Sequence, residues 1–451
     1  MNIIDSLRDK YKAHEYMKQK VEDYVANLPV LMSSLEEEYD KKQQKKQALL
    51  EKREEFITFF FSQYSFFYIP QTEVFVQHTL DYKVVHEDTI LHLICSLLDK
   101  SLISSKTKII SVILKRIKEN LFLQSTNTYV SKMIRNALPF PKEIASYVLT
   151  ILGDVLLGKN QCIFYIDVSY KPFLKSLHES FCFLLHKSLD VFKHKYYDHT
   201  YDLCRVIPGQ CKEYTPLLPL EVIVAAVTYA NQYESSDDFL KQKERHDVLV
   251  LKQNTPESLV QLFLDSYTTK GGTMVYKDVY FLWKTFLRSK YLPFVVSQQN
   301  FKAILQQMGI CEGEVCHLTT TMQTNLLKFK HFWDKYMIAD EEYSYDLQEV
   351  LDVFQKQERT TLTMESMKEV LSVEYPSVMI EGSTVMYYKC TLWNKNLDID
   401  MAMNVCTQDD TYAFYEHYTK LSHKKCATKE YFEKYVSIAW NLYGDYCYSA
   451  C

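Results

Sequence analysis

Glycine and proline are scarce in this chain, with 9 glycines and 11 prolines among 451 residues. Loops that wrap phosphates or turn sharply over a substrate rely on glycine, because glycine adopts left-handed backbone conformations without steric cost. The composition therefore favours long helices joined by short connections. The signatures GxGxxG, GxSxG and HExxH do not occur, and the Gly-Lys pair of LGKNQC is not followed by Ser or Thr. We therefore predict no cofactor and favour a non-enzymatic protein.

Long apolar runs are also lacking. No window of eighteen apolar residues exists, which a transmembrane helix requires, and residues 1–20 lack the apolar core of a signal peptide. The 12 cysteines lie mostly in apolar stretches such as LHLICSLL and SFCFLLH, a pattern typical of buried free thiols. We expect an intracellular protein with reduced cysteines and no membrane partner. The net charge of -5 argues against a uniformly basic surface.

Aromatic residues are abundant instead, with 35 tyrosines and 25 phenylalanines, and the 47% hydrophobic fraction is ample for packed cores. The apolar periodicity predicts a mainly α, multidomain helical protein with small β-hairpins and winged-helix-like modules. The predicted divisions are a charged helical arm (1–55), a mainly helical domain with a small β element (56–235), a linker (236–255), a helix-turn-helix-like domain (256–340) and a C-terminal α+β domain (341–451).

The arm carries an apolar stripe of Leu28, Leu31, Leu35 and Tyr39, followed by the mixed-charge run EEEYDKKQQKKQ. Opposite charges three and four residues apart support such a helix in water. Two interpretations stay open. The arm is either a solvated helix or a surface for a protein partner or for self-association, although sustained heptads are absent.

Three stretches share an order of helix, turn, helix and strand, which is compatible with a winged-helix arrangement. The first runs from KTKIISVILKRIKEN to CIFYIDV, and the second from DVYFLWKTFLRSK through QNFKAILQQMG to EVCHLTTT. The third joins TMESMKEVLSVEY to the hairpin VMIEGSTVMYYKCTLW, which we expect to turn at Glu381-Gly382. Between the second and third, DEEYSYDLQEVLDVF predicts an acidic amphipathic helix.

Basic residues cluster in two of these stretches. Residues 106–142 contain eight basic residues and one acidic residue, and residues 270–335 contain nine and four, giving net charges of +7 and +5. Such side chains can neutralise phosphates, and Tyr129, Tyr280 and Trp283 can stack on bases. The alternative is a solvated lysine-rich face. Lys115, Arg116, Lys132 and Arg135 are the first candidates for phosphate contact and Lys284 and Arg288 the second. The full predicted set is Lys106, Lys108, Lys115, Arg116, Lys118, Lys132, Arg135, Lys284 and Arg288.

The stretch FKHKYYDHTYDLCRVIPGQC, residues 192–211, groups two histidines with two cysteines and invites a metal interpretation, as CEGEVCH at 311–317 does more weakly. Zinc requires four nitrogen or sulfur ligands, usually delivered as two close pairs. The spacing here lacks a CxxC pair and matches no standard finger, so structural roles are the expected ones. The weak metal candidates are His194, His199, Cys204 and Cys211.

Several blocks occur in a recognisable order: EKREEFITFFFSQYSFFYIP, TKIISVILKRIKENLF, YVLTILGDVLLGKNQCIFYI, KYYDHTYDLCRV, AAVTYANQYESSDDFL, DVYFLWKTFLRSKYLPFVV and MIEGSTVMYYKCTLWNK. Together they resemble a family of large proteins from cytoplasmic giant DNA viruses, the mimivirus relatives. No activity of that family is carried over. The resemblance implies a viral protein of the host cytoplasm, in the viral factory or packaged in the virion. Residues 278–308 also resemble the winged-helix tail of viral primase-helicases, without their motor motifs.

Three functional hypotheses follow. The leading one is a viral, non-enzymatic nucleic-acid-binding protein in replication, transcription or genome packaging. The second is a structural or interaction scaffold that uses aromatic faces and the N-terminal arm. The third is an enzyme with an unfamiliar site around His199, Cys204 and Arg205. Salt-dependent binding to nucleic acid distinguishes the first from the others, because phosphate contacts release counterions.

Overall fold

The structure is a computed structural model that describes residues 3–196, 199–320, 324–406 and 410–440. Within these ranges the chain forms 18 α-helices and four small sheets of three strands each. The prediction of a mainly α protein with small hairpins is therefore confirmed. Tyr197 and Asp198, in the stretch that invites a metal interpretation, and residues 441–451, at the end of the predicted C-terminal domain, lie outside the described residues.

The chain divides into two compact units. Unit 1 comprises Met1–Cys162, Asp167–Phe192 and Gly209–Arg245, whereas unit 2 comprises Ile163–Ile166, Lys193–Pro208 and His246–Cys451. The last boundary falls within residues 236–255, for which the sequence predicts a linker. These residues are not a simple spacer, because they include the helix Ser236–Lys243. The chain also passes between the units several times before this boundary.

Unit 1 starts with a long helical arm and a small antiparallel sheet. The arm consists of α1 (Ile3–Lys10) and the 49-residue α2 (Glu15–Gln63). The sheet contains β1 (Ser65–Ile69), β2 (Val74–His78) and β3 (Tyr82–Val85) in that order. Seven helices follow: α3 (Glu87–Leu97), α4 (Lys106–Glu119), α5 (Thr128–Ala137), α6 (Lys142–Leu157), α7 (Lys171–Leu185), α8 (Pro219–Ala230) and α9 (Ser236–Lys243).

The centre of unit 1 is the contact between α6 and α8, which are apolar on nearly all sides. Gly153 allows the two helices to approach closely, since a Cβ at this position would lie 2.2 Å from the Ala226 carbonyl oxygen and 2.5 Å from the Ala230 Cβ. Both helices are buried over almost their whole length. A residue larger than glycine would therefore force the helices apart.

Unit 2 contains two modules with the same order of elements. It begins with the strands β4 (Ile163–Ile166), β5 (Phe192–Lys193) and β6 (Cys204–Ile207). The boundary between the units falls within β5. The strands β4 and β6 pair in parallel. The first module, residues 256–316, then consists of α10 (Pro256–Tyr267), β7 (Met274–Val275), α11 (Tyr276–Ser289), α12 (Gln298–Gln307), β8 (Cys311–Glu312) and β9 (Val315–Cys316). Its sheet has the order β7-β9-β8.

The second module, residues 324–390, repeats this topology. It consists of α13 (Thr324–Tyr336), β10 (Met337–Asp346), α14 (Leu347–Glu358), α15 (Met364–Glu374), β11 (Ile380–Glu381) and β12 (Thr384–Cys390), with the sheet order β10-β12-β11. In both modules the first strand pairs with the last, and a two-residue turn begins with glycine, Gly313 or Gly382, at φ 64° and 61°. The C-terminal helices are α16 (Lys395–Met403), α17 (Thr411–Leu421) and α18 (Lys429–Ala439).

One predicted element is wrong. The stretch DEEYSYDLQEVLDVF is not a single acidic helix, because its first part belongs to β10 and only its second part forms α14. Tyr343 and Tyr345 are buried with one exposed-side residue between them, which is the period of a strand. Asp346 then begins α14 with a capping box that includes Glu349. The alternating tyrosines and this capping box are the signals that the helix prediction missed.

Candidate nucleic-acid interface

Helix α12 is the third helix of the first module and directly precedes its β8–β9 hairpin. Its N-terminus is capped by Ser297, whose side chain accepts a hydrogen bond from the Asn300 backbone N–H. On the inner side Phe301 stacks on Trp283 of α11, with ring centroids 4.9 Å apart. This packing fixes which side of α12 faces outward. The exposed side includes Gln298, Gln299, Asn300, Gln306 and Gln307.

The exposed side of α12 is polar but not basic. Its five side-chain amides form no hydrogen bond with another described residue. Lys302 is the one lysine of this helix, and its ammonium is paired with Glu314 in the β8–β9 turn. Asn and Gln donate and accept hydrogen bonds at the same time, which suits the N6 and N7 atoms of adenine in the major groove. The surface therefore offers groups that read bases and little charge for phosphates.

The connection between α11 and α12 supplies charge and aromatic surface. Arg288 and Lys290 are exposed, while Tyr291 and Phe294 have 42% and 61% of their surface accessible. Because this connection leads directly into the N-terminus of α12, cations and base-reading amides lie on adjacent segments. In protein–DNA interfaces phosphate contacts position the protein and base contacts specify the sequence.

Two residues that the sequence assigned to nucleic acid have other roles. Trp283 is 0% exposed and belongs to the core, so it cannot stack on a base. The Lys284 side chain is 17% exposed and forms an ion pair with Glu374 of α15. Lys284 is therefore corrected from a phosphate contact to a contact between the two modules. The count of charges along residues 270–335 could not include Glu374, which follows that segment in sequence.

Helix α15, at the corresponding position of the second module, is covered on one side. It packs against α13 of its own module and against α11 of the first. Burial raises the pKa of Glu369 on α15, and the positive charge of Arg288 opposes that rise. Arg288 therefore lies close to a carboxylate, although its own side chain is exposed. Of the two helices α12 and α15, α12 presents the more accessible surface.

A buried polar cluster fixes the two modules against each other. The ammonium of Lys330, a residue 2% exposed, lies 3.2 Å from Asp278 of α11 and 3.2 Å from Asp334. His331 lies 2.8 Å from Asp278, and the Tyr375 hydroxyl donates to Asp334 at 2.6 Å. Burial alone would raise the pKa of Asp334, but the Tyr375 hydrogen bond and the Lys330 charge outweigh it and lower the pKa. The cluster therefore links α11 of the first module to α13 and to Tyr375, at the end of α15, of the second.

The basic residues of α4 lie in unit 1, where acidic residues distant in sequence neutralise some of them. Three ion pairs form there: Arg116 with Glu54 at 3.4 Å, Lys118 with Glu87 at 3.7 Å, and Lys115 with Glu119 at 3.9 Å. All three pairs are exposed, so each contributes little to stability. The net charge of +7 counted along residues 106–142 therefore overstates the positive potential at this surface, because it omits Glu54 and Glu87.

Of the basic residues of unit 1 that the sequence assigned to phosphate contact, three lysines are exposed and form no ion pair with a described residue. Lys106, Lys108 and Lys132 are exposed, and no carboxylate of a described residue lies within ion-pair distance of them. Tyr129, which is 72% exposed, lies one turn before Lys132 on α5. Arg135 is only partly exposed, and its Nε is buried without an acceptor among the described residues. On this surface, three lysines and one tyrosine of the predicted set therefore have side chains that a nucleic acid could contact.

The four weak metal candidates each bond to another group. The contacts are His194 Nδ1 to the Ile166 carbonyl at 3.0 Å, His199 Nδ1 to the Tyr165 hydroxyl at 2.8 Å, the Cys204 thiol to the Thr200 carbonyl at 3.3 Å, and the Cys211 thiol to the Lys212 carbonyl at 3.4 Å. Within the described ranges, no three His, Cys, Asp or Glu side chains form a group that could hold a metal ion. Burial raises the pKa of the Cys211 thiol, which disfavours the thiolate that binds metal.

Two other sequence features also have structural roles. Cys204 is 0% and Arg205 2% exposed, and the Arg205 guanidinium donates to the carbonyls of Asp202 and Cys204 at 2.7 and 2.8 Å. A thiol without solvent access does not suit a nucleophile. The glycines of GDVLLGKN, residues 153–160, have the spacing of a phosphate-binding loop, but Gly153 lies inside α6 and Gly158 ends it. No phosphate loop is formed there.

Comparison with known proteins gives no relatives. A scan against protein-family models finds no match, and searches of the curated proteins and of the solved structures find no significant match. Among the helices of the described ranges, none combines the length and the apolar character that a membrane span requires. The functional conclusion depends on the tandem modules and on the side chains that they expose.

Proposed function

We propose that this protein binds double-stranded nucleic acid through the first winged-helix module, with α12 in the major groove. The observation that carries the proposal is the row of exposed amides on α12, at the position that reads bases in helix-turn-helix proteins. Gln298, Gln299 and Asn300 form the N-terminal turn of this helix, the part that contacts base edges in such complexes. No catalytic role is needed for this activity.

The charge at this surface predicts that the affinity for nucleic acid depends moderately on salt concentration. Arg288 and Lys290 are the exposed cations of the α11–α12 connection, so about two phosphate contacts are expected, with a log–log slope near −2. If Lys106, Lys108 and Lys132 of unit 1 also contact phosphates, the slope steepens to about −4 or beyond. The slope therefore distinguishes binding through the module alone from binding that also uses unit 1.

The decisive experiment changes the amides without changing their shape. Gln298→Glu/Gln299→Glu adds two negative charges where the groove would lie, and it favours the helix itself, because carboxylates suit a helix N-terminus. We expect binding of a duplex, measured by fluorescence anisotropy, to weaken at least about tenfold. Gln261→Glu is the control: it makes one such change at an exposed position of α10, where Gln261 donates to Asp265, and it is expected to leave binding unchanged. Equal affinities for all three proteins would refute the proposal.

The proposed setting is the one that the sequence resemblance implies: replication, transcription or genome packaging of a large cytoplasmic DNA virus, in the host cytoplasm or in the virion. The amide surface supports a preference for A·T-rich duplexes within this setting, since Asn and Gln pair with adenine. Anisotropy with A·T-rich and G·C-rich duplexes of equal length tests this preference, and a preference for G·C would contradict it.

A second candidate, self-association of two copies through α2, is favoured by a separate observation. Of the 49 residues of α2 only Ile57 and Phe60 are buried, whereas the predicted apolar stripe is 46–61% exposed. The acidic block 36–40 directly precedes the basic block 41–46. An antiparallel pair of copies centred on residues 40 and 41 would oppose each acidic block to a basic block and bring Leu31 close to Leu50.

Sedimentation of the full chain tests this association. Leu31→Glu/Leu35→Glu should convert a dimer into a monomer, because it introduces charge into the apolar stripe. Lys20→Glu, which lies on α2 outside the stripe and both blocks, is the control and should leave the dimer intact. A monomeric wild-type protein at micromolar concentration would rule out the association and leave nucleic-acid binding untouched.

A further inference from the structure

The C-terminal part of unit 2 contains an open cleft of about 400 Å³ that is separate from α12 in sequence and in composition. It lies between the end of α14, the segment that leads into α16, and the connection between α17 and α18. Its walls include Lys356, Trp393, Asp398, His423, Lys424 and Lys425. The volume is within the range of small-molecule sites.

Lys425 is the unusual member of this group. Its Nζ atom is buried and has no hydrogen-bond partner in the described part of the chain, and it lies 5.7 Å from the Trp393 ring. An ammonium removed from water and left without an acceptor is unfavourable. Burial lowers the pKa of Lys425 to about 8, and the charge of Lys356 contributes in the same direction. The site therefore destabilises the protonated form of Lys425, and a bound anion would stabilise that form.

The charges of the cleft do not balance. Asp398 is its one carboxylate, and this carboxylate already accepts hydrogen bonds from Lys424 at 2.7 Å and from the Trp393 indole N–H at 3.1 Å. Lys356 and Lys425 repel each other, and the carboxylates of Asp352 and Glu349 offset part of this effect at Lys425 without forming an ion pair with it. His423 adds another donor to the lining. The exposed Lys356 and the buried Lys425 thus line one cleft beside the Trp393 indole, and this combination of groups suits a compact anion.

We propose that this cleft binds a phosphate group, held between the Lys356 and Lys425 ammonium groups. A phosphate dianion offers several acceptor oxygens and can bond to both lysines at once. The cleft is larger than an isolated phosphate, so a phosphate ester that also contacts Trp393 would fill it better. The ester is either a small molecule or the backbone of a polynucleotide. The proposal does not depend on nucleic-acid binding by α12.

Calorimetric titration of the full chain with inorganic phosphate, pyrophosphate and adenosine monophosphate at constant ionic strength tests the site. Lys425→Met should weaken binding at least tenfold, and Lys356→Gln should also weaken it. Lys420→Gln, an exposed lysine of α17 paired with Glu416, is the control and should bind like the wild type. No binding by the wild type, or equal binding by Lys425→Met, overturns the proposal. Displacement by equimolar chloride also overturns it, since the site would then be a non-specific cationic surface.

The number of protons taken up on phosphate binding is a second measurement. It reports on Lys425 itself, and the removal of a charge at another residue should not change it. At pH 8.5 part of the Lys425 population is neutral, and a bound dianion restores its proton, so binding takes up protons from the buffer. Titrations in buffers of different ionisation enthalpy should detect this uptake in the wild type and not in Lys425→Met. Uptake that persists in the variant contradicts the assignment of Lys425.

The source of the phosphate is distinguished by a second ligand, a short single-stranded oligonucleotide without terminal phosphates. If it binds with the same dependence on Lys425, the cleft takes backbone phosphate. If only adenosine monophosphate and pyrophosphate bind, the ligand is a small phosphate ester. The double variant Gln298→Glu/Gln299→Glu should bind these probes normally, which separates a failure of this proposal from a failure of duplex binding by α12.

Discussion

Single buried charges organise the C-terminal half of unit 2. Lys395 at the start of α16 is 0% exposed, and its ammonium lies 2.8 Å from Glu349 of α14. The rings of Tyr431 and Tyr345 lie 3.6 and 4.3 Å from the same nitrogen. Burial lowers the pKa of Lys395, and the Glu349 carboxylate opposes this effect. A lysine in such a site is stable because a carboxylate and the faces of aromatic rings compensate for lost water.

We expect Glu349→Gln to lower the free energy of unfolding by about 3 kcal/mol or more, because it leaves the Lys395 ammonium without a counterion in a dry site. Glutamine has the shape of glutamate, so the loss reflects charge and not volume. Glu349 also accepts hydrogen bonds from the backbone N–H groups of Asp346 and Thr428, which the amide can satisfy only in part. Urea unfolding measures the change.

The double variant Glu349→Gln/Lys395→Met is the control for this interpretation. Methionine removes the buried charge and keeps an unbranched apolar chain, so we expect the double variant to be more stable than Glu349→Gln. If the double variant is less stable than the single one by the full cost of Lys395→Met alone, the two residues act independently, and the ion pair does not account for the loss.

At the scale of elements, the sequence predicted the features that depend only on neighbouring residues. The break between α11 and α12 and the hairpin turn at Gly382, one residue beyond the start of the expected Glu381-Gly382 turn, follow from nearby residues alone. Pairings between distant segments were not predictable in this way. The two-residue strand β7 has no periodicity to detect, and Lys284 looked available because its partner, Glu374, lies in another element. The candidate surface lies in a segment for which the sequence predicted nucleic-acid contacts, but the groups that α12 exposes are amides and not the predicted lysines, and the binding itself stays a prediction.

The close contact of α6 with α8 leads to a prediction at the same scale. Gly153→Ala should destabilise unit 1 by about 3 kcal/mol, even though alanine favours helices, because the new Cβ would overlap the Ala226 carbonyl. Ser146→Ala, elsewhere on α6, is the matched change and should stay within about 0.5 kcal/mol of the wild type. Thermal unfolding followed by circular dichroism measures both. An unchanged Gly153→Ala protein would mean that α6 and α8 are not packed as closely as the structure has them.

At the scale of the whole molecule, the two units do not follow one another along the chain. Residues 163–166 and 193–208 precede the last boundary in sequence but belong to unit 2. Their side chains Tyr165, Cys204 and Val206 are at most 1% exposed and form part of the same hydrophobic core as the two modules. A linear division into domains could not anticipate this arrangement, because parallel pairing of β4 with β6 depends on contacts and not on local composition.

Because segments of the two units alternate along the chain, the first residue of a fragment determines whether the core of unit 2 is complete. A fragment of residues 246–451 keeps both modules but lacks Tyr165, Cys204 and Val206, so its core is incomplete, and we expect its stability to fall by several kcal/mol. A fragment of residues 163–451 keeps these side chains. Although its helices α7, α8 and α9 lack the rest of unit 1, we expect unit 2 within it to unfold close to unit 2 of the full chain. All 4 tryptophans follow residue 246, so their fluorescence reports on unit 2 in each protein. Equal urea midpoints for the full chain and the shorter fragment would show that unit 2 is complete without the two segments, because the midpoint reports the balance of folded and unfolded states.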